Sequence, residues 1–209
     1  MIKSTTIMEH KKPKITKLDH AVSWITLLSV LTIWGLIITL PIYFLNQKKI
    51  GKRWISDIES EANKKFIEFV GQNPKYVDIF ITDAGDKYMS ASALAYRDGR
   101  LFVMENGLAA EIPWAAVRSW SYEVVEAGKM VTTSNNLFDK MDVGKINRRM
   151  QDEADKKSGL KIFVADVDKP VWFLMTSDEG ILTKWHEIFN QINEGTLMIA
   201  PYSNEPIPA

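Results

Sequence analysis

The side chains best suited to chemistry are few in this chain and poorly placed to cooperate. Among 209 residues there are three histidines and no cysteine. His10 and His20 lie near the N-terminus, and His186 stands beside Trp185 far along the chain. A metal set of nitrogen and sulfur donors, or a nucleophile paired with an imidazole base, cannot be assembled from these. Carboxylates are the remaining acid–base groups. Asp166 and Asp168 flank a hairpin turn, and Asp152, Glu153 and Asp155 crowd a polar stretch, where solvated charge is the expected role rather than a paired acid and base. No glycine-rich phosphate loop is present, because Asp98-Gly99-Arg100 reads as a turn. The expectation is a protein that is not an enzyme and holds no cofactor and no metal.

The elements that would position any binding site begin with Ala21 to Leu45, 25 consecutive residues without a charge. At about 1.5 Å per residue such a run is long enough to cross a hydrocarbon core of about 30 Å, and it predicts a single transmembrane helix. Trp24 and Tyr43 stand near its ends, where aromatic side chains anchor at a lipid interface, and Pro41 falls in its last turn. Lysines crowd both flanks: Lys11, Lys12, Lys14 and Lys17 before the run, Lys48, Lys49, Lys52 and Arg53 after it. The second cluster is packed against the helix end, which points to a single-pass membrane protein with its C-terminal domain in the cytoplasm.

Formal charge is zero overall but unevenly spread. Residues 1–20 carry +3, residues 46–53 carry +4, and residues 54–209 carry −7. A domain of that sign lacks the clustered cations that nucleic acid requires, so no nucleic-acid partner is expected. Residues 1–20 read as a basic flexible tail, 46–72 as a juxtamembrane basic segment and connector, 73–195 as a globular domain, and 196–209 as a disordered tail with Pro201, Pro206 and Pro208.

In the connector, Ile55, Ile58, Ala62, Phe66 and Phe69 recur at helical spacing over Trp54 to Val70. Such a helix either packs on the domain or pairs with a second copy as a homodimer. From Tyr76 the period becomes that of strands: Tyr76 to Ile81, Ala93 to Tyr96, Leu101 to Met104, Ala110 to Val117, Ser119 to Val125, and a hairpin of Leu160 to Val167 with Val171 to Thr176. Asp98-Gly99 is a hairpin signal. Asp178 to Asn193 is a closing helix, with Thr176 and Glu179 spaced as a capping box, Ile181, Leu182, Trp185, Ile188, Phe189 and Ile192 on one stripe, and Gly195 as its stop. Trp114, Trp120, Trp172 and Trp185 are the bulky candidates for the core, with at least two of the four expected to be buried.

An insertion of about residues 127–159 interrupts the strands. It is polar overall, yet Leu137, Met141, Ile146, Met150 and Ala154 fall near one face. It is an inserted helix or a mobile loop, and it either packs on the domain or serves recognition, since long insertions between strands often carry binding. Phe138, Met141, Arg148 and Arg149 are the candidate partner-binding residues.

The strand series, the Asp98-Gly99 hairpin, the Ile112-Pro113-Trp114 lead into Val117-Arg118-Ser119, and the closing helix bearing Trp185 resemble a bacterial pleckstrin-homology-like domain over roughly residues 76 to 195. That resemblance implies an antiparallel β barrel or sandwich closed by a C-terminal helix; with the N-terminal transmembrane helix and the connector helix read above, the expected fold class is α+β. The whole layout of basic tail, one span and small domain also resembles the entry-exclusion proteins of I-type conjugative plasmids. This implies a membrane-embedded, non-catalytic interaction module in the bacterial inner membrane of the recipient cell that recognises a protein partner, such as a membrane protein of the donor's transfer apparatus, and blocks redundant conjugative transfer. The alternative function is a pleckstrin-like domain sensing a lipid or membrane surface.

Overall fold

The computed structural model describes residues 2–9, 12–29, 33–71, 74, 76–85, 88–131 and 137–197, without the side chains of 33–37, 82–85, 88 and 137–140. In chain order the elements are β1 (Ser4–Thr6), α1 (Lys17–Ser29), α2 (Ile33–Val70), β2 (Tyr76–Gly85), β3 (Tyr88–Arg97), β4 (Arg100–Glu105), β5 (Leu108–Pro113), a 3-10 turn (Trp114–Ala116), β6 (Val117–Glu123), α3 (Leu137–Lys157), β7 (Gly159–Val164), β8 (Val171–Met175) and α4 (Glu179–Glu194). The class is α+β, with two antiparallel sheets, ordered β1-β5-β4-β3-β2 and β6-β7-β8.

Two dipeptide turns shape the larger sheet. Asp98 and Gly99 both have positive φ (51° and 74°), and so do Asn106 and Gly107 (50° and 84°). Left-handed backbone at both central residues gives the turn whose twist matches antiparallel strands. Arg97 therefore pairs with Arg100 and Glu105 with Leu108. Gly107 has a second duty, because its carbonyl accepts from the amides of Ile7 (2.9 Å) and Met8 (3.2 Å). This holds β1 along β5 and buries Met8, so part of the N-terminal segment read as a tail is a strand.

Each face of the larger sheet has its own core. On one face Leu94, Tyr96, Leu101, Val103 and Ile112 meet Leu160, Ile162, Trp172 and Leu174 of the smaller sheet, and Leu182, Trp185, Ile188 and Phe189 of α4 close the space between them. Trp172 and Trp185 are fully buried, while Trp114 and Trp120 are half-buried against Phe189. On the other face Ala91, Ala93, Ala95 and Ala109 make a flat floor for Ile58, Ala62, Phe66 and Val70 of α2. Small side chains on the strand let the helix backbone approach closely. The connector stripe thus packs on the domain, and the sheet occupies the face a homodimer of these helices would need.

The cap of α4 lies two residues beyond the expected threonine. Asp178 Oδ1 accepts from the Ile181 amide at 3.1 Å, and Thr176 Oγ1 accepts from the Asp178 amide at 3.2 Å. Gly195 ends the helix at φ 69°, as its position predicts.

The predicted transmembrane helix is not present. Among the described residues no helix is long and apolar enough to cross a membrane. The uncharged run 21–45 is divided between two antiparallel helices: α1, of 13 residues, stops at Ser29, and α2 starts at Ile33. Each arm of the run reaches only about 20 Å, against the roughly 30 Å a crossing needs. From Ile33 α2 continues unbroken to Val70, so the juxtamembrane segment and connector belong to the same helix as the second arm. Single-pass inner-membrane placement falls with the span, and lysine bias across a membrane no longer assigns sides to the domain. The predicted fold class is corrected in the same way: the described residues form two sheets and four helices, none of them a membrane span.

Candidate functional site

The hairpin of α1 and α2 is built from a cap, a latch and a set of internally satisfied hydroxyls. Thr16 precedes α1 and Asp19 lies in its first turn. The Asp19 carboxylate accepts from the Thr16 amide (2.8 Å) and hydroxyl (2.7 Å), and the Asp19 amide donates back to Thr16 Oγ1 (3.3 Å), a reciprocal start box. Arg53 Nη2 reaches both Asp19 oxygens, at 3.1 and 3.0 Å, across the gap between the helices. Asp19 is 2 % exposed. The Thr16 amide first, then its hydroxyl and the Arg53 guanidinium, hold the Asp19 carboxyl down at about 2.

Further along, Ser23 Oγ donates to the Asp19 carbonyl (3.0 Å), Thr26 Oγ1 to Val22 (2.8 Å) and Ser29 Oγ to Thr26 (2.7 Å). Ser29 and Thr39 hydroxyls meet at 2.6 Å and tie the two arms near the far end. Each of these hydroxyls therefore finds its partner inside the hairpin, which is what a helix surface without water requires.

The outside of this hairpin is apolar. Trp24, Leu28, Phe44 and Leu45 are 62, 63, 62 and 68 % exposed, and Ile25, Leu27, Ile38, Leu40 and Ile42 join them. Scattered exposed leucines are ordinary, but so many large apolar side chains exposed on both arms of one hairpin mark a contact with something apolar. The Asp19–Arg53 and Ser29–Thr39 pairs fix the alignment of the arms, so Trp24 stands level with Asn46 to Lys48. At and below that level the surface is basic, with Lys14, Lys17, Lys48, Lys49 and Lys52 all exposed.

The sequence-predicted binding residues lie elsewhere, on α3. Met141 is 52 % exposed, and Arg148 and Arg149 are also exposed. Phe138 belongs to the helix, but its side chain is outside the described residues. Ala154 is buried, and the Ser158 hydroxyl donates to its carbonyl at 2.9 Å and accepts from the Val125 amide at 2.8 Å, which seats the C-terminal end of α3 on the domain. Asn147 holds the preceding strand-like segment by accepting from the Met130 amide (2.7 Å) and donating to its carbonyl (2.9 Å). Between α3, β2, β8 and the start of α4 is a cleft of about 420 Å³, with Ile79, Ile81, Met175 and Ile181 beside Asp152 and Asp155.

Of the acid–base candidates, Asp166 has a structural role. Asp166 accepts the Ile2 amide, and the Asp168 amide at 3.0 Å, which hold its carboxyl below the ordinary carboxylate range. It fastens the N-terminal strand and the β7–β8 turn. His186 is half-buried and hydrogen-bonded to Asn190, with its ring against Tyr122; His20 is exposed, and His10 lies outside the described residues. Among the described residues no group of three His, Cys, Asp or Glu side chains is placed to hold a metal ion.

No family model, curated protein or solved structure matches this chain. Nothing in these comparisons or in the structure supports entry exclusion or conjugation, and the absence of a spanning helix removes the membrane layout on which that resemblance rested. Sequence reasoning passed over two features that carry the hairpin: the Thr16-x-x-Asp19 start signal, and the pairing of a buried acid at 19 with a basic residue at 53. The first was readable, since Thr and Asp three apart ahead of an apolar run mark a helix start.

Proposed function

We propose that the protein is a non-catalytic binding module held at a membrane surface, with the α1–α2 hairpin seated in one leaflet and the two-sheet domain outside it. The observation that carries this reading is the set of large apolar side chains exposed on both arms of the hairpin, with its hydroxyls satisfied internally and lysines at its base. A hairpin reaching about 20 Å matches one leaflet with its interface, where a span would need a single continuous helix. The domain supplies the binding surface. Its order of four meandering strands, three further strands and a closing helix carrying Trp185 supports the pleckstrin-like resemblance, with fold alone naming no ligand.

Flotation of the full chain with phospholipid vesicles tests the reading. The wild type should rise with the vesicles, and a Leu28→Asp/Ile42→Asp variant should stay at the bottom with an unchanged circular dichroism spectrum. A wild type that stays at the bottom and self-associates through the hairpin overturns it, because a second copy would then be what covers the apolar surface.

A protein partner reached through α3 is a second reading, supported by Met141 and Ile146 standing exposed beside Arg148 and Arg149. Met141→Asp/Arg148→Glu should then abolish capture of that partner while leaving flotation unaltered.

A further inference from the structure

We propose that the base of the hairpin selects anionic phospholipid headgroups, an inference that rests on the leaflet-insertion reading. The alignment of the arms sets the height of each charge. Ser29 meets Thr39 near the far end, and Asp19 meets Arg53 near the base. Lys48 is therefore level with Trp24, Lys49 lies just below it, and Lys52 is level with the first turn of α1, where Lys17 stands.

An indole at that height suits the headgroup boundary, and lysines beside it extend their ammonium groups to the phosphates while their stems lie along apolar surface. The acidic group at this level, Asp19, is already engaged by Arg53 and Thr16, so it does not neutralise the ring of lysines. Beyond the ring the sign of the chain reverses, with −7 over residues 54–209. A negative leaflet would attract the base of the hairpin and repel the domain, which orients the molecule with the hairpin down.

Charge and apolar surface make separable contributions, and the experiment separates them. Full-length protein is titrated with vesicles of phosphatidylcholine alone, with vesicles that include phosphatidylglycerol, and with the latter in excess inorganic phosphate at matched ionic strength. The comparison protein is Lys48→Gln/Lys49→Gln/Lys52→Gln, whose three side chains are exposed and whose loss leaves the Asp19–Arg53 latch intact.

The wild type should bind the anionic vesicles on the order of 100-fold more tightly than the triple variant, from about a factor of five per lysine near a charged surface. The two proteins should bind the neutral vesicles alike, raised salt should erase the difference, and free phosphate should not compete. Equal binding of the wild type to neutral and anionic vesicles overturns the headgroup preference and leaves leaflet insertion standing. Failure to bind either kind overturns both, and competition by inorganic phosphate overturns the lipid as the source of the anion.

Discussion

Asp19 is the residue on which the hairpin's base depends. Its carboxyl is held at about 2, against an ordinary value of 3.8, by the Thr16 amide and hydroxyl and by Arg53. A depressed carboxylate stabilises the fold when ionised, so this contribution is complete above about pH 4 and is lost as pH falls through about 2. Protection of the α1 amides, taken relative to the intrinsic exchange rate at each pH, should fall as pH drops from about 4 toward about 2, and Asp19→Asn should show the lowered protection at neutral pH; unchanged protection in the variant would remove the latch from the account. Gly107 is the second such position. Its φ of 84° disfavours any side chain, and a Cβ there would collide with the Met8 carbonyl. Gly107→Ala should cost more than about 1 kcal/mol in urea denaturation and release the N-terminal strand. The Asn106-Gly107 pair is as good a turn signal as Asp98-Gly99, yet its contact with Met8 joins residues about a hundred positions apart in sequence, and no local pattern records that.

At the scale of elements, α2 is two helices in function and one in structure. Its C-terminal half packs Phe66 and Ala62 on a floor of strand alanines, and its N-terminal half carries the second arm of the hairpin. The alanine floor gives a direct test. Ala93→Leu should overpack the helix–sheet contact by about 1–3 kcal/mol, and Phe66→Ala should cost about 3–5 kcal/mol through the cavity it leaves, both read as a shifted denaturation midpoint. If either substitution were neutral, α2 would not be seated as described. The strand series, the closing helix, its Gly195 stop and the packing stripe of the connector were legible because periodicity and turn residues are local. The break of the uncharged run into two helices was not. A run of 25 residues without charge satisfies a length criterion whether it is one helix or two arms, and what divides it is the pairing of Asp19 with Arg53 and Ser29 with Thr39 across the hairpin. The insertion, which the sequence leaves as a helix or a mobile loop, is the helix α3, and it carries the candidate residues, but many exposed apolar side chains lie on the hairpin instead.

For the whole molecule, the layout separates an apolar projection, a basic ring and an acidic domain along one direction. Such a charge arrangement orients a protein on a negative surface before any apolar contact forms, and it makes association sensitive to salt. The central claim is that both arms of the hairpin enter from one side and return to it. The chain has no cysteine, so single cysteines placed at His20 and at Gln47, both exposed near the base, can be probed cleanly in sealed vesicles to which the protein is added from outside. A membrane-impermeant maleimide added outside should label both positions to the same extent. Labelling of one position and protection of the other until the vesicles are lysed would place the two ends of the run on opposite sides, and would contradict the hairpin.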